Sequence, residues 1–295
     1  MIGIAVALIF SLFLHVSCCS AAPLFAVARI HTPVLNTPDF HAIFGGKDGI
    51  TLQKDECGQL RSLEFVALPG AVFTIDAELK KGNRKIYRVK TTDYPYPSKR
   101  GYFVDAGFVT IHGRKPPERT ATLPTREMII TSLRKRVGSR YVWGGNNPEG
   151  IAELFSWYPP AEMSRLEEAD KNLWMLAGID CSGLLYEATG GYTPRNTSTL
   201  LHFGKSVSVA GKSQQEITAS LEPLDLLVWP GHVLIVLDSG TIIESRLVCH
   251  EPDKGVRIRP IADALNDIMQ KRKPADIVKN GRSEFVIRRW YGIRE

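Results

Sequence analysis

Apolar and polar positions follow two different textures along the chain. Up to about residue 115 the apolar residues come in short runs of β type, FAVARIHT, SLEFVAL, AVFTIDAEL, KIYRVKT and GYFVDAGFVTI, broken by Gly, Pro, Asp and Asn. Short strands separated by turn residues predict a small β-barrel over residues 23–115. Residues 116–125, PPERTATLPT, are rich in Pro and Thr and read as a linker. Beyond it the period changes. A helix is expected over 126–137, a short one from Cys181 that Gly190 and Gly191 stop, and a polar helix or loop through 196–220. Antiparallel strands follow from 225 to 248, and VRIRPI, ADALNDIMQK and EFVIRRWY read as strand, helix and strand. The second half is therefore expected to be α+β, with helices packed on one antiparallel sheet.

Two places in that half carry chemistry. DCSGL puts Cys181 at a helix start, where unsatisfied N–H groups and the helix dipole favour the thiolate and make the sulfur a candidate nucleophile. The bland reading of the same residue is a buried, inert cysteine. PGHVLIVL and TIIES read as strands joined by a tight turn at 238–240. With a three-residue loop Leu237 pairs with Thr241 and position 232 lies opposite 246, which makes Glu244 the same-face diagonal neighbour of His232. A carboxylate there accepts one imidazole N–H and leaves the other nitrogen free to face a thiol. The hairpin alone fits a satisfied core histidine equally.

SRYVWGG at 139–145, DCSGL at 180–184, PRNTS at 194–198, LDLLVW at 224–229 and GHVLIVLDSGTIIES at 231–245 stand in an order that resembles the NlpC family of cell-wall cysteine peptidases. The resemblance covers residues 126–295 and implies a papain-like fold with circularly rearranged order. It makes Cys181 the nucleophile and His232 the base, and it puts Glu244 at a third position that is most often His in the family. It transfers substrate contacts to Tyr141, Trp143, Asp180 and Ser182, with the backbone N–H of Cys181 and the Tyr141 hydroxyl meeting the oxyanion. The implied reaction is hydrolysis of a peptidoglycan stem peptide between γ-D-glutamate and the diamino acid. An N-acetylmuramoyl-L-alanine amidase or acyltransferase on the same scaffold, or a catalytically silent wall-binding protein, are the alternatives. In the first half, PVLNTPDF and GYFVDAGFV resemble the opening loop and closing strand of bacterial SH3-like domains. Two departures stand out. Residues 146–179 are longer than the family's link and are expected to form a lid or partner surface, and Leu200 replaces the usual Gln. Arg195 is expected in a structural ion pair rather than on a substrate carboxylate.

Composition adds the compartment. Residues 2–14 are an apolar run too short for a comfortable membrane span, followed by small residues, and predict a secretory signal (1–22) cleaved near Ala21 or Ala22. Lipidation at Cys18 ranks below simple export to the periplasm or cell envelope. The mature chain then has no transmembrane span and keeps Cys57, Cys181 and Cys249, which implies no disulfide framework but leaves a Cys57–Cys249 bridge open. Neither zinc-ligand spacing nor a Gly-rich phosphate loop is present, so no metal or nucleotide cofactor is expected. The net charge of +6 suits anionic wall polymers, and no nucleic-acid motif accompanies it. Oligomeric state is not legible.

Overall fold

The computed structural model describes residues 24–250, 254–279 and 281–292. The expected secretory segment lies outside the described residues, and no described helix is long and apolar enough to cross a membrane. The architecture is mixed α and β, built on two large sheets.

The first sheet contains β1 (Leu24–Ala28), β2 (Thr32–Leu35), β3 (Leu63–Ala67), β4 (Val72–Lys81), β5 (Arg84–Lys90), β6 (Tyr102–Asp105) and β7 (Val109–His112). Its order is β3-β2-β6-β5-β4-β1-β7, antiparallel throughout. The expected barrel does not form, because β3 and β7 remain the edges of an open sheet. The physical reason is visible at β3, where the Val66 backbone N–H donates to the Gly144 carbonyl at 3.1 Å. Part of the free edge is covered by the second half of the chain rather than by β7.

The segment 146–179 is not a lid. Leu154, Tyr158, Trp174 and Leu176 are fully buried in the same core as Phe40, Phe65, Phe73 and Phe108 of the first half. Helix α2 (Glu168–Trp174) delivers the Trp174 ring, whose Nε1–H donates to the Tyr158 carbonyl at 2.8 Å, while the Tyr158 hydroxyl donates to Asp105 at the end of β6. Aromatic side chains of this size contribute through the apolar area they remove from water, and the polar tip of each has found a partner.

The second sheet holds β8 (Lys205–Val207), β9 (Leu226–Trp229), β10 (His232–Val236), β11 (Thr241–Arg246), β12 (Gly255–Pro260) and β13 (Glu284–Arg289) in the order β8-β13-β9-β10-β11-β12, with Lys273–Pro274 added in parallel to β13. Its central strands are apolar at successive positions because both faces are covered. Leu226, Val228, Val233, Ile235 and Ile243 face helices α1 (Arg126–Lys135) and α3 (Cys181–Ala188). Leu227, Trp229, Leu234, Val236 and Ile242 face α4 (Gln214–Ser220) and α5 (Ile261–Met269). The β10–β11 hairpin has the expected register: Ile235 pairs with Ile243 and the Leu237 N–H donates to the Thr241 carbonyl at 2.9 Å.

Cys57 and Cys249 form a disulfide across a sequence separation of 192 residues, joining the loop before β3 to the segment after β11. A crosslink closing so long a loop contributes about 2–5 kcal/mol, chiefly by restricting the unfolded chain. Dithiothreitol should therefore lower the melting temperature of the wild type to that of Cys57→Ser and leave the variant unmoved. A wild-type melt insensitive to the reductant would contradict this role.

Candidate functional site

Asp180 explains where α3 begins. As the N-cap it accepts the Gly183 N–H at 2.6 Å, and its other oxygen accepts the Gly144 N–H at 3.0 Å. Arg195 closes on the same carboxylate as a fork, Nη1 to Oδ1 and Nη2 to Oδ2, each at 2.9 Å. The Arg195 guanidinium is buried and also donates to the Gly145 carbonyl and to Ser182 Oγ, while the Ser182 hydroxyl donates to the Arg195 carbonyl at 2.8 Å. Gly183 is required at this spot, since a Cβ there would collide with the Gly145 carbonyl oxygen. Asp180 and Ser182, which the resemblance assigns to substrate, thus have their polar atoms engaged by protein groups, and Arg195 makes the expected ion pair.

Residues 141–145 form a turn, closed by the Gly145 N–H on the Val142 carbonyl at 2.9 Å, that leads into a two-residue strand, Asn146–Asn147, paired with Gly178–Ile179. Gly144 sits at φ 71°, and its absent Cβ leaves room for Leu63. Tyr141 is buried, and burial first, then the charges of Cys181 and Asp180, push its hydroxyl well above the usual range. Trp143 is 39% exposed, with its backbone N–H donating to Gln59 Oε1 at 2.9 Å and the Arg61 guanidinium 4.1 Å over its ring. Gln59 and Arg61 come from the first half and had no motif to reveal them.

On the second sheet His232 Nε2 lies 2.8 Å from Glu244 Oε2. Burial pushes the Glu244 carboxyl up, but His232, Arg257 and Arg259 outweigh it and hold the group at about 2. With Glu244 ionised and able only to accept, the contact is donated by Nε2–H of His232. Arg257 and Arg259 reach the other oxygen, Oε1, at 3.3 Å. Both were missed, although the alternation in VRIRPI places 257 and 259 on one face and β12 pairs 257 with 244.

Cys181 stands at the first position of α3 as expected, but not as an activated thiol. Burial is the largest influence and the Asp180 charge adds to it, so that the thiol is pushed up to about 12 despite Arg195 and the backbone N–H groups of Ser182 and Val233. The helix start acts in the expected direction through the Ser182 N–H, but burial outweighs it. Sγ lies 4.0 Å from the Gly231 carbonyl, and among the described residues no hydrogen bond joins it to the His232 ring. Cys181 packs in the core that contains Val233, whereas His232 pairs across the strands with Trp229, ring centroids 5.1 Å apart, on the face of Leu234. Sulfur and imidazole approach the start of β10 from opposite faces of the sheet. His232 and Glu244 line one pocket of about 290 Å³, Tyr141 and Gln59 line another of about 360 Å³, and Cys181 lines neither. Among the described residues no group of three or more His, Cys, Asp or Glu is arranged to hold a metal ion. Chemically, the set offers a neutral thiol and an oriented base that must come within hydrogen-bond reach before a proton can pass.

No family model and no curated protein matches the chain. Among solved structures it is similar to an NlpC/P60 family protein from Bacillus cereus ATCC 10987, at 16% identity over 91% of this chain and 64% of that one, with a TM-score of 0.33. NlpC1 from Trichomonas vaginalis gives 12% identity over 90% of this chain and 69% of its own, with a TM-score of 0.33. NlpC2 from the same organism gives 12%, 81%, 68% and 0.30 in the same terms. The chain thus spans just under two thirds of the Bacillus protein. Likeness this distant carries no assignment for the site, which rests on the chain's own residues.

Because the folded Glu244 pKa of about 2 lies below the ordinary 4.5, its contacts stabilise the protein above pH 4.5 and are lost as pH falls toward 2. The size of the shift corresponds to about 3 kcal/mol. Urea unfolding should show wild-type stability falling across that window by about this amount more than in Glu244→Gln, which also leaves Arg257 and Arg259 without their shared carboxylate. Parallel acid profiles for the two proteins would contradict the assignment.

Proposed function

We propose that the protein is an exported cysteine peptidase that hydrolyses peptidoglycan stem peptides at the bond between γ-D-glutamate and the diamino acid. The observation that carries the reading is the His232–Glu244 contact at a strand start whose backbone touches Cys181, in a chain whose motifs run in the matching order. Export follows from the apolar run at residues 2–14 and belongs to the proposal.

In this mechanism Glu244 sets the orientation of the His232 ring before it moves, and Nδ1 of His232 then takes the thiol proton. The Cys181 sulfur adds to the γ-carbonyl carbon, and the tetrahedral oxyanion is met by the Cys181 backbone N–H and the Tyr141 hydroxyl. The imidazolium returns its proton to the departing amine, and a thioester remains. Water then attacks the thioester with His232 again as base, releasing the acid and restoring the thiol. For the first transfer the ring has to swing round the start of β10 to reach the sulfur. Gly231 is suited to be the hinge: it has φ 97°, and no atom lies within 4 Å of where its Cβ would be.

A catalytically silent wall-binding protein is the competing reading, favoured by the unpaired thiol held at about 12. Digestion of purified muropeptides, followed by mass spectrometry, separates the two. Wild type should release fragments cut after γ-D-glutamate, and Cys181→Ala and His232→Ala should each lower turnover by at least about 10³-fold with the fold intact. Fragments cut at the muramoyl amide, or exchanged acyl products, would give the reaction to an amidase or acyltransferase. A wild-type protein that binds wall and cuts nothing would establish the silent reading.

A further inference from the structure

The pocket at the His232–Glu244 pair holds more positive charge than its own carboxylates balance. It occupies about 290 Å³ between the second sheet and α5, and Arg246, Arg259, Lys271 and Arg272 stand in its lining. Glu244 is already engaged by His232, Arg257 and Arg259, and Asp267 by Arg259. Arg246, Lys271 and Arg272 make no side-chain hydrogen bond or ion pair among the described residues. Arg272 is held in a particular pose, its guanidinium 4.4 Å from the centroid of the Trp229 ring and its buried Nε without a partner. Burial, and after it the charge of a further cation, Arg282, lower its pKa. Stacking fixes the planar fork and limits its rotation, so its terminal N–H groups are preorganised for an acceptor that the protein does not supply.

We propose that this pocket is an anion-binding site, taking a carboxylate or phosphate group of a small ligand on the Arg272 fork, with Arg246 and Lys271 closing round it. Two parallel N–H···O bonds from a fixed guanidinium match either group, and the added negative charge relieves the repulsion among the cations. The assignment does not depend on thiol chemistry, since Cys181 is not in this pocket. It does place the bound anion on the face of the sheet that carries the His232 ring. The charged groups facing that ring are Glu244, Arg246, Arg257 and Arg259 from β11 and β12, Asp267 from α5, and Lys271 and Arg272 just beyond it. An anion among them changes the electrostatic field at the ring, so occupancy should move its NMR signals.

The test is an NMR titration of the His232 ring signals in the full chain with inorganic phosphate and, separately, with glutarate, at constant ionic strength. We expect a saturable shift with at least one of them, and about tenfold weaker binding in both Arg272→Gln and Lys271→Gln. Lys271 is exposed, so its variant tests the charge without touching the Trp229 stack. Saturation by phosphate alone assigns a phosphate-bearing ligand, and saturation by glutarate assigns a carboxylate. Saturation by neither, or wild-type affinity in the Lys271→Gln and Arg272→Gln proteins, overturns the site.

Discussion

The buried Asp180–Arg195 pair is the contact on which the second half depends. One carboxylate caps α3, holds the turn at Gly144, and receives both arms of the arginine that ends the Pro-Arg element. Burying two charges is costly, and this pair is offset by a fork geometry plus two backbone donors on the carboxylate. Removing either partner alone would strand the other in the core. The position of Cys181 follows from this knot, because the helix that carries the sulfur starts where Asp180 caps it. The constraint cuts both ways: the burial that fixes the sulfur also keeps its proton on.

The same logic joins the halves of the chain. Val66 on the edge of β3 is paired with Gly144, Gln59 holds the backbone of Trp143, and the disulfide ties the loop carrying Gln59 to the end of β11, the strand of Glu244. Trp174 and Tyr158 then fill the core beneath the first sheet from the sequence between the turn and α3. The first sheet is therefore part of the support for the turn that carries Tyr141 and Trp143.

Much of the second half was legible because its signals are local. A period of two, a DSG turn and the glycine stop at 190–191 were enough to place α3 and to predict the diagonal His232–Glu244 contact from the register alone. What escaped was nonlocal. Whether the first strands close into a barrel depends on what meets β3, and that partner lies about eighty residues on in sequence. The segment 146–179 contains Leu154, Tyr158, Trp174 and Leu176, apolar residues in number enough for a core layer, but charged neighbours gave it the texture of a surface excursion. The thiol was misjudged for a different reason. The helix-start effect depends on position and is visible in sequence, whereas desolvation depends on what packs around the sulfur, and at Cys181 desolvation wins.

The pH dependence of iodoacetamide alkylation at Cys181, the free cysteine among the described residues, tests this most directly. A thiol kept neutral by burial and lying apart from His232 predicts slow labelling at neutral pH, with a rate that climbs continuously through pH 9 and shows no plateau below it. A rate already at its plateau near pH 6, as a preformed thiolate–imidazolium pair would give, would contradict it.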